Sequence, residues 1–191
     1  MRTIAMGKSQ QAGAATIWTI GHSTRPIEEF LDLLRTYRVE TIADVRSFPG
    51  SRKYPHYGQQ ALAATLAAHD LGYAWLPALG GRRRASPDSP NMAWRNAAFR
   101  GYADYMASAQ FAQGMAQLLE FANQSRTALM CSEAVWWRCH RSLIADELSV
   151  RGIEVVHILD ATHGTPHPMT QPARIVDGRL SYAAPEQETL L

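Results

Sequence analysis

The chain contains little cysteine and almost no lysine. Only two of its 191 residues, Cys131 and Cys139, are cysteines, which excludes the disulfide framework that small secreted domains use. Lys8 and Lys53 are the only lysines, so arginine supplies nearly all of the positive charge. The formal net charge is only +2, which leaves no global field to attract nucleic acid. The positions of individual arginines therefore carry more information than the total charge does.

Long apolar runs are also absent. No run approaches the ~20 residues that a membrane-spanning helix needs, and the N-terminus has no apolar segment followed by a cleavage site. We therefore expect a cytoplasmic protein. With 46% hydrophobic and 19% charged residues, the composition is that of a globular protein. We predict a flexible tail over residues 1–15, one domain over 16–160 and an extension over 161–191, in which Asp177-Gly178 predicts a β-hairpin.

Short apolar runs alternate along the chain with segments of helical periodicity. The apolar runs predict five strands: Thr16–Ile20, Thr41–Val45, Tyr73–Leu76, Thr127–Met130 and Glu154–Ile158. The intervening segments predict helices: one opening at Pro26 and capped by Ser23 or Thr24, Gln59–His69, Phe99–Asn123 with a break near Ser108, and Cys139–Arg151 closed by Gly152. Such alternation predicts an α/β fold. We expect a single-domain three-layer sandwich around a mostly parallel, five-stranded, Rossmann-like sheet with the order 3-2-1-4-5.

Polar loops follow strands one, two and four of this predicted sheet. Ligands of open parallel sheets bind beyond the carboxyl ends of the strands, so we expect these loops to line one arginine-rich cleft. The ligand-binding candidates are Gly21, Ser23, Thr24, Arg25, Asp44, Arg46, Arg52, Arg82 and Arg141.

Each of these loops also has a purely structural interpretation. Gly21–Thr24 lies where a phosphate-binding turn would lie, but an ordinary capped turn would look the same. Asp44 and Arg46 share a strand face and could form an internal ion pair, although Arg46 could instead hold a phosphate. Arg82 belongs to a run of three arginines that could bind an anion from a mobile flap or could simply be solvated.

The most reactive side chains lie in one stretch, Cys131–Arg141. One interpretation is nucleophilic catalysis, because Cys131 at a strand end near arginines and a helix N-terminus would have a lowered pKa. Glu133, His22 and His140 are then the candidate acids or bases. The catalytic candidates are therefore Cys131, Glu133, His22 and His140.

Two other interpretations of this stretch remain open. Cys131, Glu133, Cys139 and His140 are all potential metal ligands, but an adjacent Cys-His pair rarely reaches one ion, so we assign no metal ligand. Alternatively the stretch is a polar network in which Glu133 and Arg141 pair and Cys139 is a small core residue.

Five short motifs occur in order between Ile17 and about Ile158: Thr-Ile-Gly-His-Ser-Thr, Asp-Val-Arg-Ser-Phe-Pro, Leu-Gly-Gly, Phe-x-Gly-Tyr-Ala-Asp-Tyr-Met and Cys-x-Glu…Cys-His-Arg. Together they resemble the DUF488 family. The resemblance implies an α/β fold but no reaction, because the family has no established activity. Family members usually carry an acidic or proline-containing stretch before Cys-His-Arg. This chain has Ala134–Trp137 there, so we expect a more apolar pocket.

These observations predict a protein that binds a small, phosphate-bearing anionic ligand, such as a nucleotide or the end of a nucleic acid. If the protein is an enzyme, we expect a hydrolase or a transferase. One alternative is a thiol-dependent enzyme that uses Cys131. The other is a metal-binding protein or a non-enzymatic interaction module with Trp136 and Trp137 on its surface. We expect no membrane partner, and the sequence identifies no cofactor, substrate or oligomeric state.

Overall fold

The computed structural model describes residues 16–50 and 52–184, so the predicted tail over 1–15 lies outside the described residues. The chain forms an α/β fold. Its strands are β1 (Thr16–Gly21), β2 (Thr41–Asp44), β3 (Gly72–Trp75), β4 (Thr127–Cys131), β5 (Glu154–Ile158), β6 (Gly164–Pro166), β7 (Arg174–Val176) and β8 (Arg179–Ser181). Its helices are α1 (Ile27–Thr36), α2 (Gln59–Ala67), α3 (Ala97–Met106), α4 (Ala109–Gln124) and α5 (Arg141–Val150).

The main sheet has six strands, not the five predicted, in the order β3-β2-β4-β1-β5-β6. Strands β1 to β5 are parallel, as predicted, and β6 pairs antiparallel with β5. The predicted order 3-2-1-4-5 is wrong, because β4 lies between β2 and β1 rather than beyond β1. All five residues of β4 are buried, which suits a strand with neighbours on both edges and helices on both faces.

Two hydrophobic clusters pack against the sheet. Along β4, Ala128 and Met130 join the cluster that contains α1 and α2, whereas Leu129 and Cys131 join the cluster that contains α3, α4 and α5. Successive residues of a strand point to opposite faces, so the two clusters lie on opposite faces of the sheet. The predicted three-layer sandwich remains an interpretation of this distribution.

The ends of the helices follow local signals in most places. The predicted break near Ser108 is confirmed, because the Ser108 side chain accepts a hydrogen bond from the Phe111 backbone and begins α4. Gly152 follows α5 with φ +76°, as a C-terminal glycine should. The predicted cap on α1 is wrong: Pro26 precedes the helix and makes no side-chain cap bond.

Residues 161–184 pack against the rest of the fold. Strand β6 extends the main sheet, and β7 and β8 form the predicted hairpin. Its turn residues Asp177 and Gly178 have φ values of 50° and 73°, as the type I′ turn of a two-residue hairpin requires. The Tyr182 hydroxyl, just after β8, donates to the buried Asp146 carboxylate at 2.7 Å. The predicted boundary at residue 160 stays a prediction.

Over residues 16–50 and 52–184, no helix combines the length and the apolar character needed to cross a membrane. The cytoplasmic location stays a prediction.

Candidate functional site

A cleft of about 660 Å³ opens at the carboxyl ends of β1, β2 and β4. The structure brings together all four catalytic candidates there, and four of the ligand-binding candidates: Ser23, Thr24, Arg46 and Arg82. The other candidates, Gly21, Arg25, Asp44, Arg52 and Arg141, do not line the cleft. The three loops still meet despite the wrong strand order, because β1, β2 and β4 are consecutive strands in both arrangements.

Two backbone N–H groups of the loop after β1 are occupied by other parts of the protein. The backbone N–H groups of His22 and Ser23 donate to the Cys131 and Ser132 carbonyls at 3.0 and 2.9 Å, so they are not available to an anion. Arg25 turns away from the cleft and donates to the Gly21 and Leu159 carbonyls. The guanidinium therefore ties the loop to the end of β5 and does not line the cleft.

Asp44 and Arg46 form the internal ion pair that the sequence allowed. Arg46 donates from Nε and Nη2 to the Asp44 carboxylate, with the shortest contact at 2.6 Å. Tyr73 donates its hydroxyl to the same carboxylate at 2.7 Å, and Arg46 Nη1 donates to the Tyr57 carbonyl at 2.8 Å. Both charged side chains are buried. Arg46 therefore forms part of the cleft wall, with its charge compensated, and is not a free anion clamp.

His22 is held in one orientation and is a poor general base. Its ring stacks on Tyr57 with the centroids 4.1 Å apart. Nδ1 lies 3.0 Å from the Ser23 carbonyl and Nε2 lies 3.3 Å from Arg46 Nη1, so a neutral ring donates with one nitrogen and accepts with the other. Burial and then the charge of Arg46 lower the pKa of His22 to about 4. The lone pair is already engaged by Arg46.

The two cysteines lie side by side at the floor of the cleft. A hydrogen bond with Cys139 and burial raise the pKa of Cys131 to about 12. Burial opposes ionisation of Cys139 as well, but the Cys131 hydrogen bond and the Arg141 guanidinium outweigh it and lower the pKa of Cys139 to about 6. The lowered pKa that we predicted for Cys131 thus belongs to Cys139, because Cys139 accepts a hydrogen bond from Cys131 and a second from Arg141 Nε, the latter at 3.4 Å.

His140 lies against the cysteines. Its Nδ1 is 3.6 Å from Cys139 Sγ, and its Nε2 is 3.1 Å from the Val45 carbonyl. The sulfur atoms of Cys131 and Cys139 and a ring nitrogen of His140 all lie within 4.8 Å of one another. An adjacent cysteine and histidine rarely reach one ion, but in this chain Cys139 and His140 both lie within reach of one. The backbone changes from extended at Cys139 (ψ 145°) to helical at His140 (ψ −14°), which turns the two side chains to the same side.

A buried polar chain that the sequence did not reveal leads away from Arg141. Arg141 Nη1 lies 3.5 Å from the Thr19 hydroxyl, which lies 2.7 Å from His157 Nδ1. His157 Nε2 lies 2.9 Å from His167 Nδ1, and His167 Nε2 lies 2.9 Å from the Asp146 carboxylate. Asp146 accepts the last hydrogen bond of the series. With both imidazole rings neutral, each group in the series accepts from the group before it and donates to the one nearer Asp146. The only sequence signal was a histidine inside the apolar strand β5.

The buried polar groups between Arg141 and Asp146 make the stability of the protein sensitive to acid. Burial, and then the charges of His167 and Arg141, lower the pKa of His157 from 6.5 to about 2. Above pH 6.5 the ring is neutral in both states and has no effect. Below pH 6.5, His157 of the unfolded protein takes up a proton that the folded protein excludes. The free energy of unfolding therefore decreases as the pH is lowered, by up to ~1.4 kcal/mol per pH unit. We expect His157→Gln to reduce the slope of unfolding free energy against pH between pH 6 and pH 5.

Urea unfolding at several pH values measures this slope. His69→Gln, which removes an imidazole from the surface, is the control for loss of a histidine. An unchanged slope in His157→Gln would show that His157 is not the group responsible.

Three charged side chains that line the cleft are uncommitted. Over residues 16–50 and 52–184, the guanidiniums of Arg82 and Arg138 and the carboxylate of Glu133 form no hydrogen bond or ion pair. Glu133 contributes instead through its backbone carbonyl, which accepts from Arg141 Nη2. The predicted side-chain pair of Glu133 with Arg141 is therefore replaced by a bond to the main chain. Sequence reasoning named Arg82 and Glu133 but missed Arg138.

Aromatic side chains at the rim were also missed. Phe48 lines the cleft and is 77% exposed, and no local pattern distinguishes such a phenylalanine from a core residue. Trp136 stacks on His157 with the centroids 4.2 Å apart, whereas Trp137 is half exposed. Of the two indoles that the interaction-module alternative places on the surface, only that of Trp137 is exposed.

Among known proteins, the chain is similar to one described family. No curated protein and no solved structure matches the chain significantly. A family model does match residues 26–148, more than half of the chain, and this span includes β2, β4 and the cysteine pair. The chain belongs to the family described as domain of unknown function DUF488.

Proposed function

We propose that the cleft binds a small phosphate-bearing ligand of the nucleotide class and catalyses its hydrolysis or the transfer of a group from it. The observation that carries this proposal is the pair of uncommitted guanidiniums, Arg82 and Arg138, in a cleft that also contains thiols, imidazoles and a carboxylate. Guanidinium groups bind phosphate oxygens through paired, charge-assisted hydrogen bonds.

The balance of charges in the cleft favours an anion. Arg46 is neutralised by Asp44, so the free charges are those of Arg82 and Arg138 against one carboxylate, that of Glu133. The hydroxyls of Ser23 and Thr24 add hydrogen-bonding groups on the side of β1. Such a cleft attracts a ligand with at least one negative charge.

The rim of the cleft favours a ligand that also has a flat apolar part. Phe48 exposes 77% of its surface beside the cleft, and Phe99 contributes a second ring to the lining. A base stacked on an aromatic side chain gains about 1–3 kcal/mol. A nucleoside phosphate offers both the charge for the arginines and the flat ring for Phe48.

Glu133 is the acid or base that the geometry supports for this proposal. Its side chain is exposed in the cleft, whereas both nitrogens of His22 are engaged by Ser23 and Arg46. A carboxylate in water-filled surroundings can exchange protons with substrate and solvent between turnovers.

Calorimetric titration with inorganic phosphate, nucleoside monophosphates and short 5′-phosphorylated oligonucleotides tests the proposal. We expect Arg82→Ala and Arg138→Ala each to weaken nucleotide binding by roughly tenfold or more, since each removes a charge-assisted hydrogen bond. Phe48→Ala should weaken binding of nucleoside monophosphates but not of inorganic phosphate.

Arg84→Ala is the matched control. It removes the same charge from the same loop as Arg82, but Arg84 lines a separate groove, so binding should be unchanged. Absence of heat with every ligand would refute the proposal, and an equal loss in Arg84→Ala and Arg82→Ala would reduce it to nonspecific charge attraction.

A further inference from the structure

We propose that Cys131, Cys139 and His140 together bind one zinc-class divalent ion at the floor of the cleft, with a fourth coordination position open to the cleft. Two thiolates and an imidazole are the donors that zinc selects, whereas magnesium and calcium require oxygen ligands. Three protein ligands with one open position are characteristic of catalytic zinc sites.

The distances fit a tetrahedral ion closely. Zinc–sulfur bonds of ~2.3 Å and zinc–nitrogen bonds of ~2.0 Å place the sulfur and nitrogen atoms about 3.5 Å apart, and two sulfur atoms about 3.8 Å apart. Cys139 Sγ and His140 Nδ1 are already 3.6 Å apart. No pair within the three ligands exceeds 4.8 Å, so coordination requires no pair of donor atoms to approach by more than about 1.3 Å.

The surroundings of His140 leave the correct nitrogen for a metal. Donation from Nε2–H to the Val45 carbonyl, at 3.1 Å, leaves Nδ1 without a proton and directed at the cysteines. Metal-bound histidines commonly orient their second nitrogen in this way. Gly81 keeps the space in front of Nδ1 open, because a Cβ at that position would lie 2.8 Å from the nitrogen.

The groups around the two cysteines also stabilise a pair of thiolates. Arg141 Nε donates to Cys139 Sγ at 3.4 Å, and Arg141 itself is held by the Glu133 carbonyl and the Thr19 hydroxyl. A guanidinium fixed in this way, together with a divalent ion, compensates the negative charge that two buried thiolates would otherwise carry. The buried polar chain to Asp146 thus becomes the outer support of the metal site.

The open position gives the metal a role that rests on the proposed function. A zinc-bound water ionises near neutral pH, and Glu133 lines the same cleft. In a hydrolysis, Glu133 would accept one proton from the metal-bound water, and the resulting hydroxide oxygen would form a bond to phosphorus as the bond from phosphorus to the leaving oxygen breaks. Glu133 would then give its proton to the leaving oxygen, and the second proton of the water would stay on the new phosphate oxygen.

Metal binding is tested without any organic ligand. The full chain is purified without chelators, and its metal content is measured by mass spectrometry; cobalt is then exchanged into the chelator-treated protein for absorption spectroscopy. We expect one zinc per chain, and a cobalt spectrum with sulfur-to-metal charge-transfer bands and tetrahedral intensity. Cys131→Ser and His140→Gln should each weaken zinc binding by more than about 100-fold, since loss of an outer-shell group alone costs 10- to 100-fold.

His69→Gln is the matched control for His140→Gln, because it removes an exposed imidazole that is not a proposed ligand and should keep the metal. Circular dichroism of each variant separates loss of the site from loss of the fold. If a ligand variant does not fold, alkylation of the wild-type protein decides: zinc should protect both cysteines until a chelator is added.

A metal-free protein in which added zinc leaves alkylation unchanged would overturn the proposal. Rapid alkylation of Cys139 alone under these conditions would point instead to a thiol nucleophile. The two proposals fail separately, because Arg82→Ala should lose nucleotide binding with its zinc content unchanged, whereas a metal-free protein could still bind nucleotides through its arginines.

Discussion

Replacing Gly21 by alanine is expected to destabilise the fold by about 3 kcal/mol, the upper end of the usual range for overpacking a core. A Cβ at position 21 would lie 1.8 Å from the Glu133 carbonyl oxygen and 2.6 Å from its carbonyl carbon. These are backbone atoms, which cannot rotate away as the end of a side chain could. Gly21 was a ligand-binding candidate, but its contacts give it a packing role.

The displaced segment would also damage the cysteine site. The Glu133 carbonyl accepts the hydrogen bond from Arg141 Nη2, so moving Glu133 releases the arginine that contacts Cys139. We therefore expect Gly21→Ala, where it still folds, to alter cysteine reactivity as well as stability.

Chemical denaturation of Gly21→Ala against the wild type measures the loss. Gly50→Ala is the control, because a Cβ there meets nothing within 4 Å, and its effect should stay within ~0.5 kcal/mol. Equal stability of both variants and the wild type would show that the loop after β4 can move without cost.

The second large effect is expected at the buried ion pair. Arg46→Ala should cost about 3–5 kcal/mol, because it leaves the Asp44 carboxylate buried without its counter-charge. Tyr73 and the Arg46 backbone N–H would remain as its hydrogen-bond donors. Chemical denaturation at neutral pH measures this loss of stability. Arg151→Ala, which breaks the surface pair with Glu147, is the control and should cost no more than ~1 kcal/mol.

A double-mutant cycle separates the pair from its surroundings. Asp44→Asn removes the charge that Arg46 compensates, so the double variant Asp44→Asn/Arg46→Ala should cost less than the sum of the two single changes. Additive costs would mean that the two side chains do not stabilise each other. The same result bears on ligand binding, because a loss of binding in Arg46→Ala would reflect a damaged wall rather than a missing clamp.

Local patterns were sufficient for most secondary structure. The five predicted parallel strands and the break at Ser108 follow from apolar spacing and capping residues, which act within a few positions. The hairpin at Asp177-Gly178 follows from the need for positive φ at both turn residues. Cap prediction failed at α1 because Ser23 and Thr24 belong to a loop whose backbone is bonded to the segment after β4.

The neighbours of each strand in the sheet could not be predicted from such local patterns. Nothing in Thr127–Cys131 states that β4 inserts between β2 and β1. The arginines illustrate the same difficulty: Arg25 and Arg141 look like Arg82 in the sequence, yet the carbonyls of Leu159 and Glu133 accept hydrogen bonds from their guanidiniums.

The sequence alone determined an α/β chain with one reactive stretch, Cys131–Arg141, following a buried strand, because hydrophobic period and residue type are local properties. Only the tertiary structure decided which cysteine favours the thiolate, which arginines face the cleft, and that Cys131, Cys139 and His140 meet. Those features depend on contacts such as Thr19 with His157, which are 138 residues apart. Local periodicity contains no information about contacts at that separation.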